Sequence, residues 1–234
     1  MELLFQDDAY LTSCEAMVTS VDGPLVRLDR TMFYPTGGGQ PGDHGTFQVG
    51  DVVYEIIDTR KGDSHLDVVH VLAEGAAVPA VGDKGQLVLD WDRRHKHMRM
   101  HTAMHIVCSL IDGDVTGGQV GIDKSRLDFN LPESPDKVEL TERLNAVIAA
   151  GHDTRTIWIT DEEMDTKPDL VRTMSVKPPR GAGRVRLLEI GDGVDLQPCG
   201  GTHVKNTAEI GALVISKIEN KGKQNRRINI KFAD

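Results

Sequence analysis

The sequence predicts an α+β chain in two domains, an all-β domain over residues 1–91 and an α+β domain over residues 92–234. Two observations carry this. Up to Trp91, short apolar or β-branched runs alternate with turn residues; beyond Asp92 a helical period takes over. A third observation, HKHMRMHTAMH at 95–105 and QPCGGTHV at 197–204, places the metal-ligand residue types in the second domain.

The strand-like runs are Glu15–Val21, Pro24–Phe33, Thr46–Ile57, Leu66–Leu72 and Gln86–Trp91. Turn signals mark this region at Asp22-Gly23, Gly50-Asp51, Lys61-Gly62-Asp63, Glu74-Gly75 and Gly82-Asp83. This spacing suits a small barrel or a sandwich. From Asp92 to Ile111, Met100, Met104, Val107 and Ile111 share one helix face, with Asp112-Gly113 as the stop. A second helix has Ser134 as its cap and Pro135 at its first position, buries Leu144, Val147 and Ile148, and ends at Gly151. Further strands are expected at Thr156–Ile159, Arg184–Ile190, Gly211–Ile218 and Asn225–Phe232.

Composition narrows the class. The 234 residues are 39% hydrophobic and 27% charged, as in ordinary globular proteins. The N-terminal MELLFQDDAY is not expected to be a signal peptide, and no apolar run reaches membrane-spanning length. Cys14, Cys108 and Cys199 are odd in number and far apart, which points to free thiols and a reducing, cytoplasmic setting. The net charge of -9 argues against nucleic acid, but the basic residues cluster. Arg172–Arg186 holds Arg172, Lys177, Arg180, Arg184 and Arg186 with no acid. Lys217–Lys231 holds Lys217, Lys221, Lys223, Arg226, Arg227 and Lys231 against Glu219, and Trp91–Met100 adds four more. Together they suggest a local polyanion site.

Residues four apart share a helix face, so both His97/His101 and His101/His105 qualify as a ligand pair. Cys199 and His203 bracket two glycines, which calls for a tight loop rather than a helix. A helical H-x3-H pair facing a C-x3-H loop supplies three nitrogens and one sulfur, a set that suits zinc. Cys108 reads as a small core residue.

HTAMH at 101–105, CGGTHV at 199–204 and FYPTGGGQPGDHG at 33–45, with RLDF at 126–129 and NRRINI at 225–230, resemble the alanyl-tRNA editing proteins. These are the free-standing AlaX family and the editing domain of alanyl-tRNA synthetase. The resemblance runs through almost the whole chain in the family's order, and the length suggests the medium form, without the long form's C-terminal extension. It implies an N-terminal small β-barrel followed by an α+β zinc-containing editing domain. It also selects His101 and His105, which with Cys199 and His203 would hold one Zn2+ per chain. Met104 departs from the threonine that relatives commonly carry there.

The implied reaction is trans-acting hydrolysis of the ester that joins a wrong amino acid, serine or next glycine, to the acceptor end of tRNA(Ala), with no membrane partner. Gln40, His101 and His105 fall to catalysis, Thr36, Gly38, Gly39 and Gln40 to substrate binding, and Arg226 and Arg227 to tRNA. Taken alone, the Gly37-Gly38-Gly39 run reads as a barrel corner. An apolar pocket discriminates one methyl group by only about 1–3 kcal/mol, whereas a buried partner for the serine hydroxyl rejects alanine more strongly; Thr36 is the candidate partner. Four protein ligands close a tetrahedral site while a catalytic zinc keeps a position open, so either His203 is loosely held or the metal takes a fifth ligand. The rival reading is a tRNA-binding module with a purely structural zinc; another is a hydrolase of some other small ester or amide. A synthetase is not expected, since the sequence leaves no room for an ATP-binding aminoacylation domain and shows no P-loop.

Overall fold

In the computed structural model, which describes residues 1–64, 66–167, 170–171 and 183–233, six strands close into a barrel. The chain parts into two compact units, Met1–His95 and Lys96–Asp234.

In the first unit, β1 (Glu2–Leu3) precedes the barrel strand β2 (Ser13–Asp22), and β3 (Leu25–Leu28) follows. β4 (Arg30–Thr31) pairs in parallel with β1. β5 (Gly45–Val49), β6 (Val52–Lys61), β7 (Val68–Leu72) and β8 (Lys84–Leu89) complete the barrel in the order β2-β3-β7-β6-β5-β8, closed by β8 on β2. Closure decides between barrel and sandwich, and it removes sheet edges. Alternation fills the interior: Val18, Leu28, Phe47, Ile56 and Leu87 point in, while Glu55 and Ile57 flank Ile56 outside. Two expected runs are cut. Gly50-Asp51 forms a two-residue hairpin loop that splits Thr46–Ile57, Gly50 taking φ +56°. Pro24–Phe33 breaks into β3 and β4.

One buried ion pair anchors the loop at 36–43. Arg94 Nε lies 3.0 and 2.9 Å from the two carboxylate oxygens of Asp43, and its Nη2 also bonds there. Nη1 donates to Ala9 O at 2.9 Å and Nη2 to Met32 O at 2.7 Å, and the Tyr34 N–H donates to Asp43. A buried charge pair is tolerated where excellent geometry and further hydrogen bonds of this kind offset its desolvation.

In the second unit, α1 (Trp91–Leu110), which starts within the first, supplies a core helix. From Met98 to Cys108 nearly every residue is buried, so the single apolar stripe expected from the sequence understates its burial. β9 (Val115–Gln119) and β10 (Lys124–Asn130) were not expected as strands. α2 (Lys137–Ala149) is capped by Asp136, whose carboxylate accepts from the Val138 and Glu139 N–H groups at 2.8 Å, and not by Ser134. Gly151 ends it with φ +68°. β11 (Thr154–Thr160), α3 (Asp161–Asp165), β12 (Arg184–Ile190) and β13 (Asp195–Pro198) follow, then β14 (Leu213–Gly222) and β15 (Asn225–Phe232). Two antiparallel sheets result, β14-β15-β10-β9 and β11-β12-β13. Among the described residues, no helix is long and apolar enough to cross a membrane.

Candidate metal centre

Helical spacing places His101 and His105 on one face of α1, their ring centroids 5.3 Å apart. Cys199 and His203 come from the loop after β13. That loop is tied to β12 by the Cys199 N–H to Arg186 O at 3.0 Å, and Arg186 Nη1 donates to both Cys199 O and Gly201 O at 2.9 Å. The ligand atoms of all four side chains lie within 4.8 Å of one another; His101, His105 and His203 are buried and Cys199 is half-buried. Cys199 Sγ is 3.2 Å from His203 Nε2 and 3.7 Å from His101 Nε2. Three nitrogens and one sulfur converging in a buried place is a donor set that fits zinc.

Neighbouring groups orient two of the rings. The Thr102 hydroxyl donates to Met98 O at 2.9 Å and accepts from His203 Nδ1 at 3.2 Å, which leaves His203 Nε2 as the ligand nitrogen. His105 Nδ1 donates to Asp195 Oδ2 at 3.0 Å. The other Asp195 oxygen accepts from Gln197 Nε2 at 2.6 Å. Sequence reasoning missed Thr102, Asp195 and Gln197. The only signal was polar residues at 195 and 197, alternate positions of one strand leading to Cys199.

Electrostatics follow from burial and proximity. Burial pushes the Cys199 thiol up, but His101, His203 and His105 together pull it well below its ordinary range. Burial lowers His105, yet the facing Cys199 and the Asp195 carboxylate outweigh it and lift this imidazole to about 10. Burial takes His203 down to about 3. The sulfur and His203 therefore stand in the states a metal requires, whereas His105 would give up a proton to a metal.

Among the described residues, no further candidate of the second unit joins this cluster. His97 and Cys108 are buried outside it, and His95 stacks on Trp91 at 5.2 Å. On the Gly-rich loop of the first unit, Gly38 and Gly39 are exposed with φ +57° and +83°, a backbone that disfavours side chains. Gly37 and Gln40 exchange backbone bonds at 3.0 Å, and Gln40 is fully buried. Exposed Thr36 accepts from the Gly42 N–H at 2.8 Å and donates to Thr59 O at 3.3 Å.

Several arginines of the basic stretches bond within the fold. Arg226, expected on tRNA, is buried, and its guanidinium bonds to Asn220 Oδ1, Gly222 O, Asn225 O and Pro132 O. It locks the β14–β15 turn. Arg227 grips Asp128 through two bonds, Nε at 2.7 Å and Nη2 at 2.9 Å. Arg93, Arg94 and Arg99 bond to backbone carbonyls or to Asp43. Of Arg172–Arg186, Arg172, Lys177 and Arg180 lie outside the described residues.

The closed barrel and the α+β unit with its three-histidine, one-cysteine cluster lie in a chain that matches domains of tRNA synthetases. Residues 185–229 match the family described as Threonyl and Alanyl tRNA synthetase second additional domain, and residues 4–93 match tRNA synthetases class II (A). The chain is 38% identical to the Alanyl-tRNA editing protein AlaX-M of Methanosarcina acetivorans, covering 100% of this chain and 99% of that protein. It is 34% identical to AlaX-M of Saccharolobus solfataricus, over 97% of both. An Alanine--tRNA ligase of Pyrobaculum aerophilum is 35% identical over 92% of this chain and 25% of the ligase. The chain belongs to the alanyl-tRNA editing proteins, AlaX-M type.

Proposed function

We propose that this chain is a cytoplasmic, trans-acting hydrolase that deacylates tRNA(Ala) carrying a wrong amino acid, serine first and glycine next. One Zn2+ would be held by His101, His105, Cys199 and His203. The supporting observation is the convergence of those donors, Cys199 and His101 being 98 residues apart, in a chain related along its length to proteins named for alanyl-tRNA editing. Three cysteines outside any disulfide fit a reducing compartment.

Zinc, when bound, supplies a Lewis acid to the ester carbonyl or to a water. The reaction consumes one water: its oxygen adds to the carbonyl, the C–O bond to the terminal ribose breaks, and the ribose oxygen takes a proton. The chain's own contribution is to hold the donor set and fix the His203 and His105 rings through Thr102 and Asp195. Thr36, Gly38, Gly39 and Gln40 are the proposed substrate residues, with Gln40 in the catalytic set. The Thr36 hydroxyl gives its hydrogen to Thr59 O, and its second lone pair can accept from a serine side chain. Arg227 is the remaining candidate of the pair proposed to contact the acceptor end. A tRNA-binding module with a structural zinc is the second reading, favoured by four protein donors, the number that closes a tetrahedral site.

The test is deacylation of serine-, glycine- and alanine-charged tRNA(Ala) by the purified protein, with and without a zinc chelator. Loss of the serine ester, abolished by chelation and with alanine spared, is expected. A folded, zinc-loaded protein that deacylates nothing makes the metal structural.

A further inference from the structure

We infer that Asp195 is a positioning residue for the metal centre: its carboxylate, braced by Gln197, holds the His105 ring so that Nε2 faces the other donors. The inference rests on the metal reading above and deepens it.

β13 carries two polar side chains where packing alone would put apolar ones. Asp195 and Gln197 are buried, 8% and 5% exposed, whereas Leu196 between them is 36% exposed. Residues two apart on a strand share a face, so this strand turns its polar pair inward and its leucine out. A buried carboxylate is costly unless matched. Asp195 is matched on both oxygens, by His105 Nδ1 at 3.0 Å and Gln197 Nε2 at 2.6 Å. Both contacts are made inside the second unit.

The placement is economical. β13 runs directly into Cys199, so one strand-and-loop segment supplies a ligand and also the partner of a ligand on α1. Across the cluster, His203 is fixed by the neutral Thr102 hydroxyl at 3.2 Å. A neutral acceptor thus suffices to choose a tautomer. The charge at position 195 adds donor strength at Nε2 and a preferred ring plane, the effect that a carboxylate behind a ligating histidine supplies.

The test compares wild type, D195A and D195N in full-length protein, by zinc competition with a chromogenic chelator and by the visible spectrum of the cobalt(II) form. D195A should lower zinc affinity about 10–100-fold. Its Cys199-to-cobalt charge-transfer band should persist while the d–d bands change. D195N keeps an acceptor oxygen for the Nδ1 hydrogen and should recover part of the loss; being isosteric, it also reads the charge if D195A does not fold. Folded variants with wild-type zinc affinity and unchanged cobalt spectra overturn the role of Asp195 alone. A wild-type chain that takes up neither ion overturns the metal reading, and this inference with it.

Discussion

His70, in the barrel wall on β7, is fully buried, and burial holds its imidazole down to about 4 although its contact with Val26 O opposes this. Its neutral form is matched: Nδ1 donates to Val26 O at 3.3 Å, and Nε2 accepts from the Thr31 hydroxyl at 2.8 Å, which in turn accepts from the Phe33 N–H. Between pH 6.5 and about 4 the unfolded chain binds a proton that the folded barrel does not. Stability therefore falls as pH falls through that window, by about 3 kcal/mol in all. Urea unfolding at pH 7.5 and pH 4.5 should show His70→Gln losing less stability on acidification than the wild type. Equal losses would place the acid sensitivity elsewhere. At Thr36 the chemistry concerns selectivity. Thr36→Val removes the acceptor proposed for the serine hydroxyl and should cut serine-ester clearance about tenfold while leaving alanine clearance level or higher. Unchanged serine clearance removes Thr36 from that role.

The β14–β15 hairpin shows what motif-level reading misses. Arg226 and Arg227 are adjacent in NRRI, yet successive strand residues face opposite ways: Arg226 turns into the hairpin's own carbonyls and Arg227 onto Asp128 across the sheet. The sequence shows two cations, but Pro132 O, which also engages Arg226, and the Asp128 carboxylate that engages Arg227 lie 94 and 99 residues away. Arg226→Ala should therefore destabilise the fold without changing the salt dependence of tRNA binding. Arg227→Ala should weaken binding and reduce the slope of log K against log salt by about 1. Equal slopes in both variants would remove this hairpin from the tRNA surface. Legibility elsewhere follows the same rule. Barrel strands were readable because alternation and turn residues are local. β9 was not: its Gly117-Gly118 pair breaks the pattern, and the reason lies on α1. A Cβ on Gly118 would come 3.3 Å from Met104 Cε and 3.4 Å from Leu127 Cδ2, a tight fit between helix and sheet. Asp136 displaced Ser134 as the α2 cap because the helix starts one turn fragment later than Pro135 suggests. At the site, the four donors were legible as motifs, while Thr102 and Asp195 became visible only once α1 and β13 were brought together.

Whether zinc shapes the molecule or only its chemistry is decided at the scale of the whole chain. All four donors belong to the Lys96–Asp234 unit, and that unit carries an apolar core of its own, with Phe129, Leu144, Leu187, Ile215 and Ile228 at most 2% exposed. A unit with such a core is expected to fold without metal, unlike a small zinc module. Metal bound to the folded state alone still adds stability by mass action, about 2.7 kcal/mol at one hundred times Kd. For a chain of this length each kcal/mol moves Tm by about 2–4 °C. Thermal melts of the zinc-loaded protein should therefore run about 5–10 °C above the chelated protein. Cys199→Ala should melt near the chelated wild type, cooperatively and whatever zinc is added, and show no deacylation. A Cys199→Ala chain without a cooperative transition would show instead that the metal holds the fold, and the function would pass to the tRNA-binding module.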